Sequence, residues 1–125
     1  MLNQIGQIAL NAHDVPRATA FYRDVLGMRF LFEFLPRLAF FDCGGVRLMI
    51  SLPEDGFDHP GSVLYYKVED IQAAYEEIKG RGAEFLGEPH LVAKMPDHEL
   101  WMAFLKDTEG NTLALMSEVG PASSM

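Results

Sequence analysis

Short alternations of apolar and polar residues, broken by glycine, proline and aspartate, divide the first half of the chain into strands and one helix. A weakly alternating, β-rich stretch over residues 5–11 predicts the first strand. Asp14 is a typical helix N-cap, and Gly27 is a typical stop for the helix that follows. Three further strands are predicted over residues 29–34, 38–42 and 46–52, because Pro36–Arg37 and Gly44–Gly45 separate them as turns.

The second half repeats this order of elements. A strand over residues 62–68 precedes a helix that is capped by Asp70 and ends at Gly80 or Gly82. The next strand, over 83–92, is interrupted by Pro89, and a hairpin over 101–118 completes the set. The sequence therefore predicts a strand–helix–three-strand unit, βαβββ, that occurs twice.

Each predicted unit has one helix, which can cover only one face of a four-stranded sheet. The other face needs a partner, and two curved sheets that meet leave a cleft between them. We therefore predict an α+β fold in which two βαβββ modules pair around an open cleft. The predicted single domain spans 1–119, with module one at 4–53, a linker at 54–61 and module two at 62–118, followed by a flexible tail at 120–125.

Charge and cysteine content limit the binding partners and the cellular compartment that we expect for this protein. The chain has 125 residues and a formal net charge of −8 without a basic run, which disfavours nucleic acid and anionic membrane surfaces as partners. Cys43 is the single cysteine, so an intrachain disulfide framework is excluded. The N-terminal stretch lacks the features of a signal peptide, and we expect a cytoplasmic protein.

Three segments together resemble one known superfamily. They are HDVPRATAFYRDVLGM after the first strand, YYKVEDIQAAYEEIKGRG at the start of module two, and DTEGNTLALMSE in the last hairpin. The chain is similar over about residues 4–118 to the vicinal oxygen chelate superfamily of glyoxalase I, bleomycin resistance proteins and extradiol dioxygenases. The resemblance implies paired βαβββ modules and, because related proteins often form two-fold dimers, a homodimer.

The resemblance also implies where a divalent metal would be held, by one side chain from the first and last strand of each module. These positions fall on Gln7, Ser51, Val63 and Ala114. Gln7 has a donor, Ser51 is a poor one, and the two hydrocarbon side chains have none. We therefore predict no metal and no cofactor, unless a divalent ion uses non-standard ligands.

Strand alternation predicts which side chains line the cleft, because residues two apart share a face. The lining mixes apolar bulk with a few polar groups, which is typical of a small-molecule pocket. For Met49 and Met116 the alternative is simple packing between the sheets, and for Trp101 it is core packing rather than stacking on a ligand. The predicted ligand-binding residues are Gln7, Asn11, Met49, Ser51, Tyr65, Lys67, Trp101, Ala114 and Met116.

Three functions remain open from sequence. The first is a metal-free protein that binds, and sequesters, an apolar or aromatic small molecule. The second is a lyase, isomerase or dioxygenase in which His90, His98 and Glu99 act as acid–base groups or as a displaced metal site. The alternative for these three side chains is that they belong to a polar loop without a catalytic role. The third is a structural or regulatory dimerisation module with a filled interior.

Overall fold

The computed structural model describes residues 1–54, 58 and 61–120, and the chain divides into two compact units, Met1–Gly61 and Ser62–Met125. The boundary between the units falls where the sequence predicts the start of module two. Most of the predicted linker at 54–61 and of the predicted tail at 120–125 lies outside the described residues.

The first unit is a four-stranded sheet with one helix. Its strands are β1 (Gln7–Asn11), β2 (Arg29–Phe34), β3 (Leu38–Cys43) and β4 (Val46–Ser51). They lie in the order β1-β4-β3-β2, with β1 and β4 parallel and the other neighbours antiparallel. The first and last strands of the unit are therefore adjacent, as a βαβββ module requires.

The first helix, α1 (Val15–Ala20), begins as the sequence predicts. The carboxylate of Asp14 accepts a hydrogen bond from the backbone N–H of Arg17 at 3.1 Å, which satisfies one of the free donors at the helix start. The last part of the predicted helix, Phe21–Val25, is a wider π-helical turn rather than α-helix. Gly27 then ends the segment with φ of 68°, a conformation that a side chain would resist.

One face of this sheet packs against α1 and forms the core of the unit. Phe41, Leu48 and Ile50 are at most 2% exposed, and the rings of Phe41 and Tyr22 lie 6.2 Å apart. Burial of such a side chain stabilises the fold by about 1.5–3 kcal/mol. Because neighbouring residues along a strand point to opposite faces, this core also fixes which residues lie on the other face.

The second unit repeats the plan with a longer last hairpin. Its elements are β5 (Leu64–Lys67), α2 (Ile71–Gly80), β6 (Glu84–Phe85), β7 (His90–Lys94), β8 (Glu99–Lys106) and β9 (Thr112–Val119). Strands β5 and β9 are parallel, and both β6 and β7 pair with β8. The strand predicted over 83–92 is thus two short strands, since proline donates no backbone hydrogen bond and Pro89 lies between them.

The packing of the second unit also leaves one sheet face free of its helix. Leu105, Leu113 and Leu115 are buried on the side of α2, where the rings of Tyr75 and Phe85 lie 4.7 Å apart. The predicted α+β class is therefore confirmed, with a βαβββ order in the first unit and one additional short strand in the second, where β6 and β7 stand for one predicted strand. That the two modules pair around a cleft stays a prediction. No described helix has the length and apolar character needed to cross a membrane.

Candidate functional site

The face of the first sheet that lies opposite α1 carries the predicted side chains, and we call it the open face of the first unit. In the parallel β1–β4 pair, Ala9 lies beside Met49 and Asn11 lies beside Ser51. Leu38 of β3 lies on the other side of Ser51. Strand alternation therefore brings the residues predicted at these positions together on one surface.

A cavity of about 480 Å³ opens on this face, at the end where β1 and β4 finish and β3 begins. Its size lies in the range usual for small-molecule sites. The lining includes three of the predicted ligand-binding residues, Asn11, Met49 and Ser51. The lining residues in the described part of the chain are Ala9, Asn11, Arg37, Leu38, Met49, Ser51, Leu52, Glu54 and Gly61.

The cavity has an apolar floor and a polar end. Ala9, Leu38 and Met49 supply hydrocarbon and thioether surface along the strands. Asn11 and Ser51 form one cross-strand pair and add amide and hydroxyl groups at the strand ends. An arrangement of this kind can hold the apolar body of a ligand and orient its polar group.

Sequence reasoning missed the end wall, which includes Arg37, Leu52 and Glu54. The backbone N–H of Leu52 donates to the carbonyl of Arg37 at 3.0 Å, so the turn before β3 is held against the end of β4. Leu38 was within reach of prediction, because the register of the β3–β4 hairpin places it opposite Ser51. The turn and the loop after β4 carry no periodic pattern that would have placed Arg37 or Glu54.

Gln7 lies on the same face but outside the cavity. The Nε of Arg47 donates to the Oε1 of Gln7 at 3.0 Å, and the Nε2 of Gln7 lies 3.9 Å from the Sδ of Met49. The Arg47 guanidinium also lies 5.6 Å from the ring centroid of Phe40. Gln7 is therefore part of a polar contact beside the cavity rather than part of its lining.

The face of the second sheet that lies opposite α2 carries most of the predicted residues of module two. Tyr65 lies beside Ala114, and Lys67 lies beside Met116. The ring of Phe104 lies 6.1 Å from that of Tyr65 and 6.2 Å from the imidazole of His90. This surface is an aromatic and aliphatic platform with Tyr65 half exposed.

A charged cluster lies at the end of this platform. The Nδ1 of His98 lies 2.8 Å from the Oδ1 of Asp97, and its Nε2 lies 3.8 Å from the Oε2 of Glu118. The Nζ of Lys67 approaches the other oxygen of Glu118 at 3.6 Å. The hydrogen bond from His98 lowers the pKa of Asp97 below its ordinary value.

The structure places His90, His98 and Glu99, which the sequence groups as candidate catalytic residues, at separate points of the second unit. The Oε1 of Glu99 accepts a hydrogen bond from the indole of Trp101, on the face of β8 that includes Ala103 and Leu105. His98 instead contacts Glu118, which pairs with Leu100 and so belongs to the other face. His90 pairs with Met102, four residues along from His98, a separation of about 13 Å at the usual strand rise. These three side chains therefore do not converge on one point.

Trp101 lies on the face of β8 opposite the other predicted ligand-binding residues of the second unit. Its indole N–H donates to the Oε1 of Glu99 at 3.2 Å, on the face that includes buried Ala103 and Leu105. This is the helix-covered side of the sheet, whereas Tyr65 and Met116 lie on the other side. The position of Trp101 agrees with the alternative given from sequence, which is core packing.

The residues at the superfamily's metal positions do not fit a divalent cation. The amide oxygen of Gln7 already accepts a hydrogen bond from Arg47, whose positive charge opposes a cation there. Val63 and Ala114 have no donor atoms in their side chains. Within residues 1–54, 58 and 61–120, no group of three or more His, Cys, Asp or Glu side chains is placed to hold a metal ion.

Comparison with known proteins identifies the family to which the chain belongs. The model of the glyoxalase/bleomycin resistance protein/dioxygenase superfamily matches residues 4–115. The chain belongs to this superfamily, and the predicted resemblance is confirmed.

Two kinds of relative illustrate the similarity. The chain is 30% identical to a glyoxylase-like domain-containing protein from Didymella fabae, over 94% of this chain and 95% of that protein. A virulence protein from Salmonella typhimurium has a similar structure, with a TM-score of 0.77, 20% identity and coverage of 95% and 99% of the two chains. The lactoylglutathione lyase of Agrobacterium tumefaciens superposes with a TM-score of 0.74, 21% identity and coverage of 92% and 93%. At these identities the two structures show the fold alone.

Proposed function

We propose that this protein binds a small, partly apolar molecule in the cavity of the first unit and sequesters it without a resident metal. The cavity of about 480 Å³ on the open face carries the proposal. It is large enough to surround most of a small ligand, and its lining combines an apolar floor with a few polar groups.

The surrounding structure supports binding without large rearrangement. The cavity floor lies on β1, β3 and β4, whose other face is anchored in the core by Phe41, Leu48 and Ile50. A site built on paired strands holds its geometry better than a site built on loops alone. The mismatch between the metal positions and metal chemistry, described above, supports binding rather than metal-dependent catalysis.

A pair of matched variants tests the proposal with a neutral probe, N-phenyl-1-naphthylamine, whose fluorescence rises in apolar surroundings. Ala9→Phe adds a ring to the cavity floor, while Gln7→Phe adds the same ring two residues away, on the same face but outside the lining. We expect saturable binding of the probe to the wild type and to Gln7→Phe. We expect at least tenfold weaker binding to Ala9→Phe, because the added ring occupies ligand volume.

Circular dichroism and thermal unfolding of each variant establish that the sheet is intact. Equal affinity of the probe for the two variants, or absence of saturable binding to the wild type, would contradict the proposal. Native mass spectrometry of the purified protein complements this test, since a retained small molecule would appear as a mass increment that Ala9→Phe loses.

The separation of His90, His98 and Glu99 argues against the enzyme hypothesis as predicted from sequence, whereas one contact of His98 supports it. His98 is oriented by Asp97 at 2.8 Å, an arrangement that suits an acid–base imidazole. His90 and Glu99 do not join it, so a lyase, isomerase or dioxygenase would depend on His98 with Glu118 and Lys67. Loss of turnover in His98→Gln, for any substrate that is found, would favour this second function.

A further inference from the structure

The end wall of the cavity carries two charges of opposite sign. Arg37 and Glu54 both line it, and their formal charges cancel. Among the described residues, neither side chain has a hydrogen bond or an ion pair with another side chain. The two charges are therefore available to a ligand.

The backbone holds both residues at the same end of the cavity. The N–H of Arg37 donates to the carbonyl of Phe34 at 2.9 Å, and the carbonyl of Arg37 accepts from Leu52 at 3.0 Å. Glu54 follows Leu52 by two residues, with Pro53 between them, and proline restricts the backbone at that point. Arg37 and Glu54 therefore both line the cavity, one from the turn before β3 and the other from the segment after β4.

A lining of this kind discriminates between charge states of a ligand. A ligand with one charge is attracted by one residue and repelled by the other, and a neutral ligand gains from neither. A zwitterion pairs its carboxylate with Arg37 and its ammonium group with Glu54, so both interactions are favourable. Asn11 and Ser51 add neutral hydrogen-bonding groups beside them.

We infer that the ligand of this cavity is a zwitterion with an apolar body, of the chemical class of an amino acid with a large apolar side chain or a short apolar peptide. The apolar body lies on Ala9, Leu38 and Met49, and the charged groups face Arg37 and Glu54. The inference rests on the proposed function, because it requires that this cavity is a ligand site.

Four probes with one common phenyl body test the inference by displacement of N-phenyl-1-naphthylamine. They are L-phenylalanine as zwitterion, 3-phenylpropanoate as anion, 2-phenylethylammonium as cation and 3-phenylpropanamide as neutral control. We expect L-phenylalanine to displace the dye at concentrations at least tenfold lower than each of the other three. Equal potency of the four probes, or strongest displacement by a singly charged probe, would overturn the inference.

Single charge removals sharpen the test. Arg37→Gln leaves Glu54 alone and is expected to shift the preference toward 2-phenylethylammonium, while Glu54→Gln is expected to shift it toward 3-phenylpropanoate. Arg29→Gln and Glu33→Gln remove the same charges from β2, outside the cavity, and serve as controls that keep the wild-type order. An unchanged preference in both cavity variants would overturn the inference.

The failures of the two proposals are distinguishable. In one outcome the dye binds the wild type, fails to bind Ala9→Phe and resists displacement by L-phenylalanine. That result overturns the inference of a zwitterionic ligand alone, and the cavity remains a ligand site. Absence of dye binding to the wild type overturns both.

Discussion

The guanidinium Nε of Arg47 donates to the side-chain oxygen of Gln7 at 3.0 Å, across the parallel β1–β4 pair. Of the four positions at which the superfamily implies metal ligands, Gln7 has the best donor in this chain. Its oxygen faces a fixed positive charge, so the one suitable group is already engaged. The contact therefore disfavours a divalent metal ion at Gln7.

A metal-gain experiment checks this interpretation. Gln7→His introduces a good ligand for Zn²⁺, but Arg47 remains beside it and Val63 and Ala114 still lack donors. We expect neither the wild type nor Gln7→His to bind Zn²⁺ with a 1:1 stoichiometry at low micromolar concentrations in calorimetric titrations without chelator. Stoichiometric binding of Zn²⁺ to the wild type or to Gln7→His, together with no binding to Gln7→Ala, would contradict the interpretation.

The contact between Asp97 and His98 predicts a pH dependence. The hydrogen bond from His98 lowers the pKa of Asp97 in the folded state. Its contribution to stability is therefore present above the ordinary pKa of an aspartate and is lost as the pH falls through the lowered value. We expect carboxyl-carbon NMR titration to show a low pKa for Asp97 that returns toward the ordinary value in His98→Asn. His90→Asn is the control and should leave the pKa of Asp97 unchanged. An equal pKa of Asp97 in His98→Asn and in the wild type would count against the contact.

The thiol of Cys43 is expected to be unreactive at neutral pH. Partial burial raises its pKa, and the negative charge of Asp42 adds to the increase. Less thiolate is then present at a given pH, so iodoacetamide should label the folded protein more slowly than the protein unfolded in urea. Equal labelling rates in the two states would show that the thiol is fully accessible and unperturbed.

The predicted homodimer has a candidate contact on β2, an edge strand of the first sheet. Phe34 is 60% exposed and Leu35 53%, and exposed apolar edge strands favour association with another chain. Light scattering should give twice the 14.0 kDa chain mass for the wild type and a shift toward one chain for Phe34→Ser. Leu2→Ser, at a fully exposed residue outside the sheets, is the control. A monomeric wild type would refute the homodimer, and a dimer that Phe34→Ser leaves unchanged would remove β2 from the contact.

The repeat and the strand faces were accessible from sequence because both follow from short periodic patterns. Alternation predicted that Asn11 and Ser51 share a sheet face and that Tyr65 and Ala114 do. The register of the parallel pairs places the two members of each pair side by side. The hypothesis that groups His90, His98 and Glu99 rests on proximity along the chain, whereas Glu99 contacts Trp101 and His98 contacts Glu118.

The parts of the site that sequence did not reveal depend on aperiodic segments. Arg37 and Glu54 reach the cavity because the turn before β3 hydrogen bonds to the residue after β4. No hydrophobic period predicts such a contact, since it joins two connecting segments. The π-helical turn at Phe21–Val25 was missed for a related reason, because its apolar residues also suit a regular α-helix.

The most direct measurement is a ¹H–¹⁵N correlation spectrum of the labelled protein during titration with N-phenyl-1-naphthylamine. If the cavity of the first unit is the ligand site, the largest saturable shifts appear at Asn11, Met49, Ser51 and Leu52 and are absent in Ala9→Phe. Shifts confined to Tyr65, His90 and Met116 of the second unit, or no saturable shift at all, would contradict the account.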